Sequence, residues 1–390
     1  MRLSGAALLL ALAGTAASAT AQIDADRRYR GRDAITLTSS DIELVVLKHG
    51  GGFASLTLAT DSERLNPLWD SLRADREQGR QERSTGAVGH FVCVDGFGQP
   101  SEQERAAGME GHGEAHRLEW QTDFAGIEGG AMVLRQSVRL PRVQEVLRRE
   151  LRLPSDESVV YVRSDLESLL DFDRPVNWAE HATIGSPFLE RGVTVVDISP
   201  NRAITRPREG ATRAGLTHRL ASNAEFAWPM APTRADGLVD LRAAPLESHS
   251  LDHTAHRMDP DAEWAFVTAL HPVKRLLLGY LFRPSEFAWL QTWESYPQDR
   301  MLARGLEFAT QAFDLPRRQV VSQGQIFGTS LYRWLPARTT ISAGYLMFLT
   351  RTPEGFLGVD GIDWVDGVLR IRDSRSDQVI ELAAGGELAK

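Results

Sequence analysis

Three stretches of the sequence carry side chains of the types that transfer protons. His112 lies between two glycines, so a ligand can approach its imidazole closely because neither neighbour has a side chain. His181 follows a strand-like run and precedes a glycine and a proline that break regular structure, a position where a rigid scaffold commonly offers chemistry. Glu307 lies inside an apolar run, where burial raises the pKa of a carboxyl group towards the working range of a general base.

Each of these residues also has a structural alternative. His181 fits a half-buried histidine that is satisfied by a backbone carbonyl, and Glu307 fits a carboxylate paired with Arg304 or Arg333. The single cysteine, Cys93, lies in a Val/Phe run that is typical of a small buried hydrophobic residue and not of a nucleophile.

Metal ligation is a competing interpretation of the histidines. The spacings His112-x-x-x-His116 and His249-x-x-x-His253-x-x-His256 suit ligands on one helix face. Glycines around His112 disfavour a helix, and the second set falls in a polar region where histidines are usually solvated. No Gly-x-Ser-x-Gly elbow, phosphate loop or dinucleotide fingerprint occurs in the chain. We therefore predict a site without metal or cofactor.

Composition excludes several classes of partner. The net charge of -8 over 390 residues, with no basic stripe, argues against nucleic acid and anionic membrane surfaces as partners. The chain is long enough to bury a sizeable core, and one cysteine permits no internal disulfide. The sequence does not indicate the oligomeric state.

The first 21 residues predict export. Met1-Arg2 is a short positive start, Ala6 to Ala13 is apolar, and Ala19-Thr20-Ala21 offers small residues to a signal peptidase. The apolar run is too short to span a membrane. We predict a signal peptide over residues 1–21, a mature chain that begins at Gln22, and a periplasmic or secreted protein.

The mature chain predicts an all-β fold, a large antiparallel β-sandwich that forms a single domain over residues 22–390. Short β-branched or alternating runs recur between glycines and prolines, and no long amphipathic helix stands out. The predicted strands are 35–38, 42–47, 53–58, 132–140, 146–153, 159–163, 193–198, 264–269, 276–282, 287–293 and 345–350. Residues 61–84 and 200–260 are polar and predict loops, and residues 358–382 predict a closing hairpin.

The three proton-transfer stretches, taken in order, resemble the aldose 1-epimerase (galactose mutarotase-like) superfamily over roughly residues 34 to 350. The motif pattern is closest to that of the hexose-6-phosphate epimerases. The residues that carry the resemblance are Gly50-Gly-Gly-Phe-Ala-Ser-Leu56, Gly86 to Gly98, His112-Gly-Glu-Ala-His-Arg-Leu-Glu-Trp120, Asn177 to Leu189, Gly305-Leu-Glu-Phe-Ala-Thr-Gln311 and Ala343-Gly-Tyr-Leu-Met-Phe348.

The resemblance implies an isomerase that interconverts the anomers of a small-molecule sugar. Ring opening needs a base for the O1 proton and an acid for the ring oxygen. Glu307 fits the base, His181 fits the acid, and His112 would hold an oxygen by a hydrogen bond. We expect Glu307 and His181 to face each other across a pyranose-sized cleft.

Four further residues are candidates for binding the substrate. Trp293 could supply a flat apolar wall for a pyranose face, although core packing is its alternative. The resemblance adds Asn177, His116 and Asp252, the last because Asp252-His253 resembles a family segment whose aspartate contacts sugar hydroxyls.

Two other functions remain open. One is a carbohydrate-binding protein with the same fold and no turnover, which needs only the aromatic wall. The other is a glycoside hydrolase or lyase that uses Glu307 with a second carboxylate such as Asp252.

Overall fold

The computed structural model describes residues 21–70, 73, 79, 88–207 and 215–388. The predicted signal peptide lies outside the described residues except for Ala21, and so does part of the predicted loop 61–84. The all-β prediction is confirmed: strands dominate the described ranges, and the helices there are short. No helix within the described ranges has the length and the apolar run that crossing a bilayer would require.

Strands occur from Gln22 to the C-terminal segment. In chain order they are β1 (Gln22–Tyr29), β2 (Arg32–Thr38), β3 (Ile42–Leu47), β4 (Phe53–Leu58), β5 (His90–Val94), β6 (Gln121–Glu128), β7 (Ala131–Leu140), β8 (Glu145–Pro154), β9 (Val159–Ser168), β10 (Arg174–Val176), β11 (Trp178–Gly185), β12 (Val195–Ile198), β13 (Asn201–Thr205), β14 (Glu225–Phe226), β15 (Met230–Pro232), β16 (Leu238–Asp240), β17 (Ser250–Met258), β18 (Ala265–His271), β19 (Leu276–Phe282), β20 (Trp289–Tyr296), β21 (Ala303–Gly305), β22 (Glu307–Ala309), β23 (Gln325–Ile326), β24 (Thr329–Ser330), β25 (Arg333–Leu335), β26 (Thr340–Arg351), β27 (Val359–Val365), β28 (Val368–Asp373) and β29 (Val379–Ala383). The helices are α1 (Glu102–Ala106), the 3₁₀ turn Ala115–Arg117 and α2 (Arg317–Gln323).

Two large antiparallel sheets pack face to face. Within the described ranges, the large sheet has the order β1-β2-β3-β4-β5-β11-β21-β20-β17-β13-β14, with β22 joined to β11 and β20. The second sheet has the order β12-β18-β19-β26-β9-β8-β7-β6. Side chains from the facing surfaces, among them Val92 and Trp178 from one sheet and Leu151 and Met347 from the other, share one apolar core. Burying a large apolar side chain contributes about 1.5–3 kcal/mol, so this shared core fixes the two sheets against each other.

The C-terminal segment adds a small third layer. A two-stranded closing hairpin was predicted here, but β27, β28 and β29 form a three-stranded sheet. Ile362, Leu369, Ile371 and Ile380 of this sheet pack against the second sheet in a separate apolar cluster. The second sheet is thereby covered on both faces.

The prediction of loops throughout residues 200–260 was wrong. That region contains β17, a nine-residue strand that pairs with β13 and β20 inside the large sheet. Its polar side chains are satisfied in pairs across the ladder: His253 Nε2 contacts Gln291 Oε1 at 2.8 Å, and Thr254 Oγ1 contacts Thr292 Oγ1 at 2.7 Å. Because buried polar residues can pair in this way, a polar sequence formed an interior strand.

Candidate active site

The register of β11 brings two of the predicted catalytic residues together. His181 pairs with Phe91 of β5 on one side, and Thr183 pairs with Gly305 of β21 on the other. Successive side chains on a strand point to opposite faces, so His181 and its neighbour Glu180 face opposite ways. Glu180 enters a buried polar cluster between the sheets, where its Oε2 lies 3.0 Å from His90 Nε2 and 3.6 Å from Arg149 Nη2. His181 therefore lies on the face of β11 that points away from the core, and the opposite face of β11 packs in the core.

His181 contacts the candidate base directly. Its Nε2 lies 3.3 Å from Glu307 Oε1, its Nδ1 lies 3.1 Å from Thr183 Oγ1, and its ring stacks on Phe91 at 4.3 Å between centroids. The expectation that Glu307 and His181 face each other across a cleft was wrong, because the two side chains lie side by side on neighbouring strands. Burial, reinforced by the nearby His112, lowers the pKa of His181 well below its ordinary value, so the ring is neutral near pH 7.

Glu307 is a buried carboxyl group without an arginine at hydrogen-bonding distance among the described residues. Arg304, one expected partner, instead pairs with Glu294 at 3.3 Å, and Arg333 donates to the carbonyl of Ser342. Burial raises the pKa of Glu307 to about 8, although the positive charge of Arg206 opposes the rise. Oε1 makes no well-aligned hydrogen bond within the described ranges, despite its short distance to His181. Oε1 is therefore a buried acceptor that lacks a well-aligned partner among the described residues.

The position of the Glu307 carboxyl group depends on Gly305. A β-carbon at residue 305 would overlap Glu307 Oε1 and the carbon that carries it. Residues 305 and 307 are two positions apart in an extended segment, so a side chain at residue 305 would point to the same face of the sheet as Glu307. Because Gly305 has no side chain, the carboxyl group of Glu307 can occupy this space.

His112 lies against His181, with ring centroids 5.0 Å apart. The backbone N–H of Gly98 donates to His112 Nδ1 at 3.4 Å, and Sγ of Cys93 lies 3.6 Å from the same nitrogen. Burial, together with Arg117, lowers the pKa of His112 to about 4. With Nδ1 accepting a hydrogen bond, a neutral ring carries its proton on Nε2, which can donate to a ligand oxygen.

A cleft of about 300 Å³ opens over these three residues. Trp69 and Trp293 meet edge to face on its wall, with ring centroids 6.4 Å apart. This volume and an apolar wall with a few convergent polar groups are typical of a small-molecule site. The remaining lining residues are Phe91, Phe97, His253 and Asp314.

An ion pair borders the cleft. Arg206 contacts Asp314, and its Nη1 also lies 3.1 Å from His253 Nδ1. Asp314 Oδ1 lies 3.2 Å from the same nitrogen, and His253 Nε2 lies 2.8 Å from Gln291 Oε1. This side of the cleft thus carries one positive and one negative group beside the imidazole of His253.

Three predicted substrate-binding residues lie outside the cleft lining. Asn177 is buried and donates to the carbonyl of Leu331. Asp252 faces the opposite side of β17 from His253 and accepts hydrogen bonds from Arg219. His116 is buried behind Phe91, with ring centroids 5.1 Å apart, and burial lowers its pKa to about 3. The hydrolase alternative thereby loses Asp252 as its second carboxylate.

Sequence reasoning missed five of the lining residues, namely Trp69, Phe91, Phe97, His253 and Asp314. Trp69, Phe97 and Asp314 lie in connections and Phe91 lies in the short strand β5, where no periodicity distinguishes a lining residue. For His253 a signal was present, because it follows the aspartate that the family resemblance had singled out.

The histidine spacings do not bring metal ligands together. His253 and His256 lie three residues apart on β17, so they face opposite sides of the sheet. The rings of His112 and His116 are 6.2 Å apart. No group of three or more histidine, cysteine or acidic side chains among the described residues is arranged to hold a metal ion.

The structure is similar to solved structures of mutarotase-like proteins at low sequence identity. A galactose mutarotase related enzyme from Lactobacillus acidophilus has a TM-score of 0.54 and 14% identity over 82% of this chain and 99% of that chain. A galactose mutarotase-like protein from Clostridium acetobutylicum has a TM-score of 0.55 and 13% identity over 85% and 99% of the two chains. A Klebsiella pneumoniae protein named for a proposed aldose 1-epimerase activity has a TM-score of 0.58 and 12% identity over 84% and 83%.

Sequence comparison adds nothing to this likeness. No protein-family model matches the sequence, and no protein of curated function gives a significant match. Fold and topology are shared with the solved structures across more than four-fifths of this chain. The chain has the galactose mutarotase-like fold.

Proposed function

We propose that this protein is an exported isomerase of the aldose 1-epimerase type that interconverts the anomers of a sugar. The observation that carries the proposal is the direct contact of His181 with Glu307 at the base of a sugar-sized cleft with a tryptophan-lined wall. The fold shared with mutarotase-like proteins supports the same reaction class.

The side-by-side arrangement suits the chemistry better than opposite walls would. The two oxygens that exchange protons, O1 and the ring oxygen O5, are bonded to the same carbon, so their proton-transfer partners must also be neighbours. In the proposed reaction Glu307 takes the O1 proton, the C1–O5 bond breaks as the C1 carbonyl forms, and His181 protonates O5. Rotation about C1–C2 turns the aldehyde, and the same steps in reverse close the ring to the other anomer.

The protonation states of Glu307 and His181 fit this reaction. Near pH 7 the Glu307 carboxyl group is protonated and His181 is neutral, so the pair holds one titratable proton. Transfer of that proton from Oε1 to Nε2, across 3.3 Å, creates the carboxylate base and the imidazolium acid in one step. His112 supports the open-chain form by donating Nε2–H to an oxygen of the sugar.

Polarimetry or NMR of freshly dissolved aldoses tests the proposal. We expect at least one pyranose to approach anomeric equilibrium faster with the protein than with buffer alone. Sugar binding without faster exchange would favour the second candidate, a carbohydrate-binding protein. The specific support for that candidate is the pair Trp69 and Trp293, because aromatic stacking binds a pyranose face without any proton transfer.

Export is a separate part of the proposal and rests on the sequence of the first 21 residues. We expect intact-mass measurement of protein recovered from the periplasm or medium to give a chain that begins at Gln22. Recovery of a soluble product that retains Met1 to Ala21 would contradict it.

A further inference from the structure

A second cavity, larger than the catalytic cleft, lies beside the ion pair of Arg206 and Asp314. Its volume is about 620 Å³, compared with about 300 Å³ for the cleft. Both values fall in the range of about 300–1,000 Å³ that is typical of small-molecule sites. The mechanism proposed above does not use this second cavity.

The lining of the second cavity has the chemistry of a saccharide site. Asn223, Gln319 and Ser322 contribute amide and hydroxyl groups, which can donate to and accept from sugar hydroxyls. Phe313 and Leu315 contribute apolar surface of the kind on which the C–H face of a sugar ring packs. Arg318 adds a further donor. A wall of mixed amides and apolar groups suits a neutral polyol better than an apolar ligand.

One short segment separates the two cavities. Phe313 and Leu315 line the second cavity, whereas Asp314 between them lines the catalytic cleft. Arg206 lines the second cavity and contacts both Asp314 and His253, which line the cleft. The two cavities are therefore neighbours, with Arg206 of the ion pair lining the second cavity and Asp314 lining the catalytic cleft.

We propose that the second cavity is a subsite for the next ring of a reducing oligosaccharide whose reducing-end ring is opened in the catalytic cleft. This inference rests on the proposed mutarotation, which requires a free anomeric hydroxyl. The chain of the substrate must then continue through a different oxygen of the bound ring, away from Glu307 and His181. The second cavity receives that extension, so the substrate class is a disaccharide or longer reducing saccharide.

The test compares reducing disaccharides with their reducing-end monosaccharides. We expect at least one of maltose, cellobiose, lactose and gentiobiose to have a kcat/KM for anomer exchange about ten-fold or more above that of glucose. Ser322→Trp, a change at an exposed helix position, should fill the subsite, and Gln319→Ala should remove one of its polar groups. Both variants should lose most of the disaccharide preference and keep the rate for glucose. Gln121→Ala, an exposed glutamine on β6, is the matched control and should change neither rate.

The outcomes distinguish this inference from the proposed function. If glucose is turned over and no disaccharide is preferred, or if Ser322→Trp lowers both rates equally, the subsite is refuted and the isomerase stands. If no sugar is turned over, calorimetry with the same sugars decides. Tighter binding of a disaccharide that Ser322→Trp abolishes supports the subsite without the isomerase, whereas equal binding of monosaccharide and disaccharide refutes it.

Discussion

His181 Nε2 lies 3.3 Å from Oε1 of Glu307, within a face of the sheet where Phe91 packs beneath the imidazole and Gly305 leaves room for the carboxyl group. The contact joins a carboxyl group whose pKa is raised by burial to an imidazole whose pKa is lowered by burial. Each shift suppresses a charge, so the pair rests as a neutral acid beside a neutral base. A substrate that stabilises the charged form can draw the proton across the contact.

The first prediction concerns the dependence of the rate on pH. The active pair holds one proton, and that proton leaves as the pH rises through the pKa of Glu307 at about 8. We therefore expect kcat/KM for anomer exchange to fall above about pH 8. Initial rates between pH 5 and pH 10, corrected for spontaneous exchange, measure this. A rate that instead rises through pH 8 would mean that the Glu307 carboxylate acts without a proton on His181.

The second prediction uses Gly305, which contacts no substrate in the proposed mechanism. Gly305→Ala places a β-carbon in the volume of the Glu307 carboxyl group and should displace it. We expect the rate to fall by about ten- to a hundred-fold, because misplacing a reacting group by about 1 Å can cost about a hundred-fold. Gly237→Ala is the control, since its added β-carbon meets only Thr233 Oγ1 at 3.6 Å. Full activity in a folded Gly305→Ala variant would show that the carboxyl position is not critical.

The third prediction separates binding from proton transfer at His112. We expect His112→Ala to raise KM and lower kcat, because the variant loses the Nε2–H donor. His112→Asn keeps a side-chain donor and tolerates the left-handed backbone of this residue, which has φ of 64°, so it should retain more activity than the alanine variant. Thermal melting of both variants controls for backbone strain. Equal activity in the two variants would show that His112 does not act as a hydrogen-bond donor to the sugar.

The strands that form the frame of the site could be predicted from the sequence, because β3, β4, β8 and β26 bury apolar or alternating side chains that leave a clear pattern. β17 escaped prediction because its buried residues are polar and satisfied by neighbours on β20. A single sequence does not reveal such pairing, since the partner residues are distant along the chain.

The cleft was less predictable than the frame. His112, His181 and Glu307 are brought together as the resemblance implied, with His181 and Glu307 in contact. Asp252 and His253 show why the finer assignment failed: adjacent residues on a strand face opposite ways, and the aspartate faces the buried side where Arg219 binds it. Which of two neighbours faces the cleft depends on the register of the whole sheet.

In the proposed reaction, Glu307 is the base that opens the sugar ring. Glu307→Gln keeps the shape of the side chain, removes the titrating group and adds no charge to a buried position. Loss of a proton-transfer partner typically costs about a hundred- to ten-thousand-fold in rate. Glu263→Gln, at an exposed position, is the matched control and should behave as the wild type.

The deciding measurement is the anomer-exchange rate of the preferred sugar, followed by NMR magnetisation transfer at equilibrium with wild type and Glu307→Gln. We predict that the variant binds the sugar with nearly unchanged affinity and that its exchange rate is at least a hundred-fold lower. Exchange at the wild-type rate in a Glu307→Gln variant that still binds the sugar would contradict it.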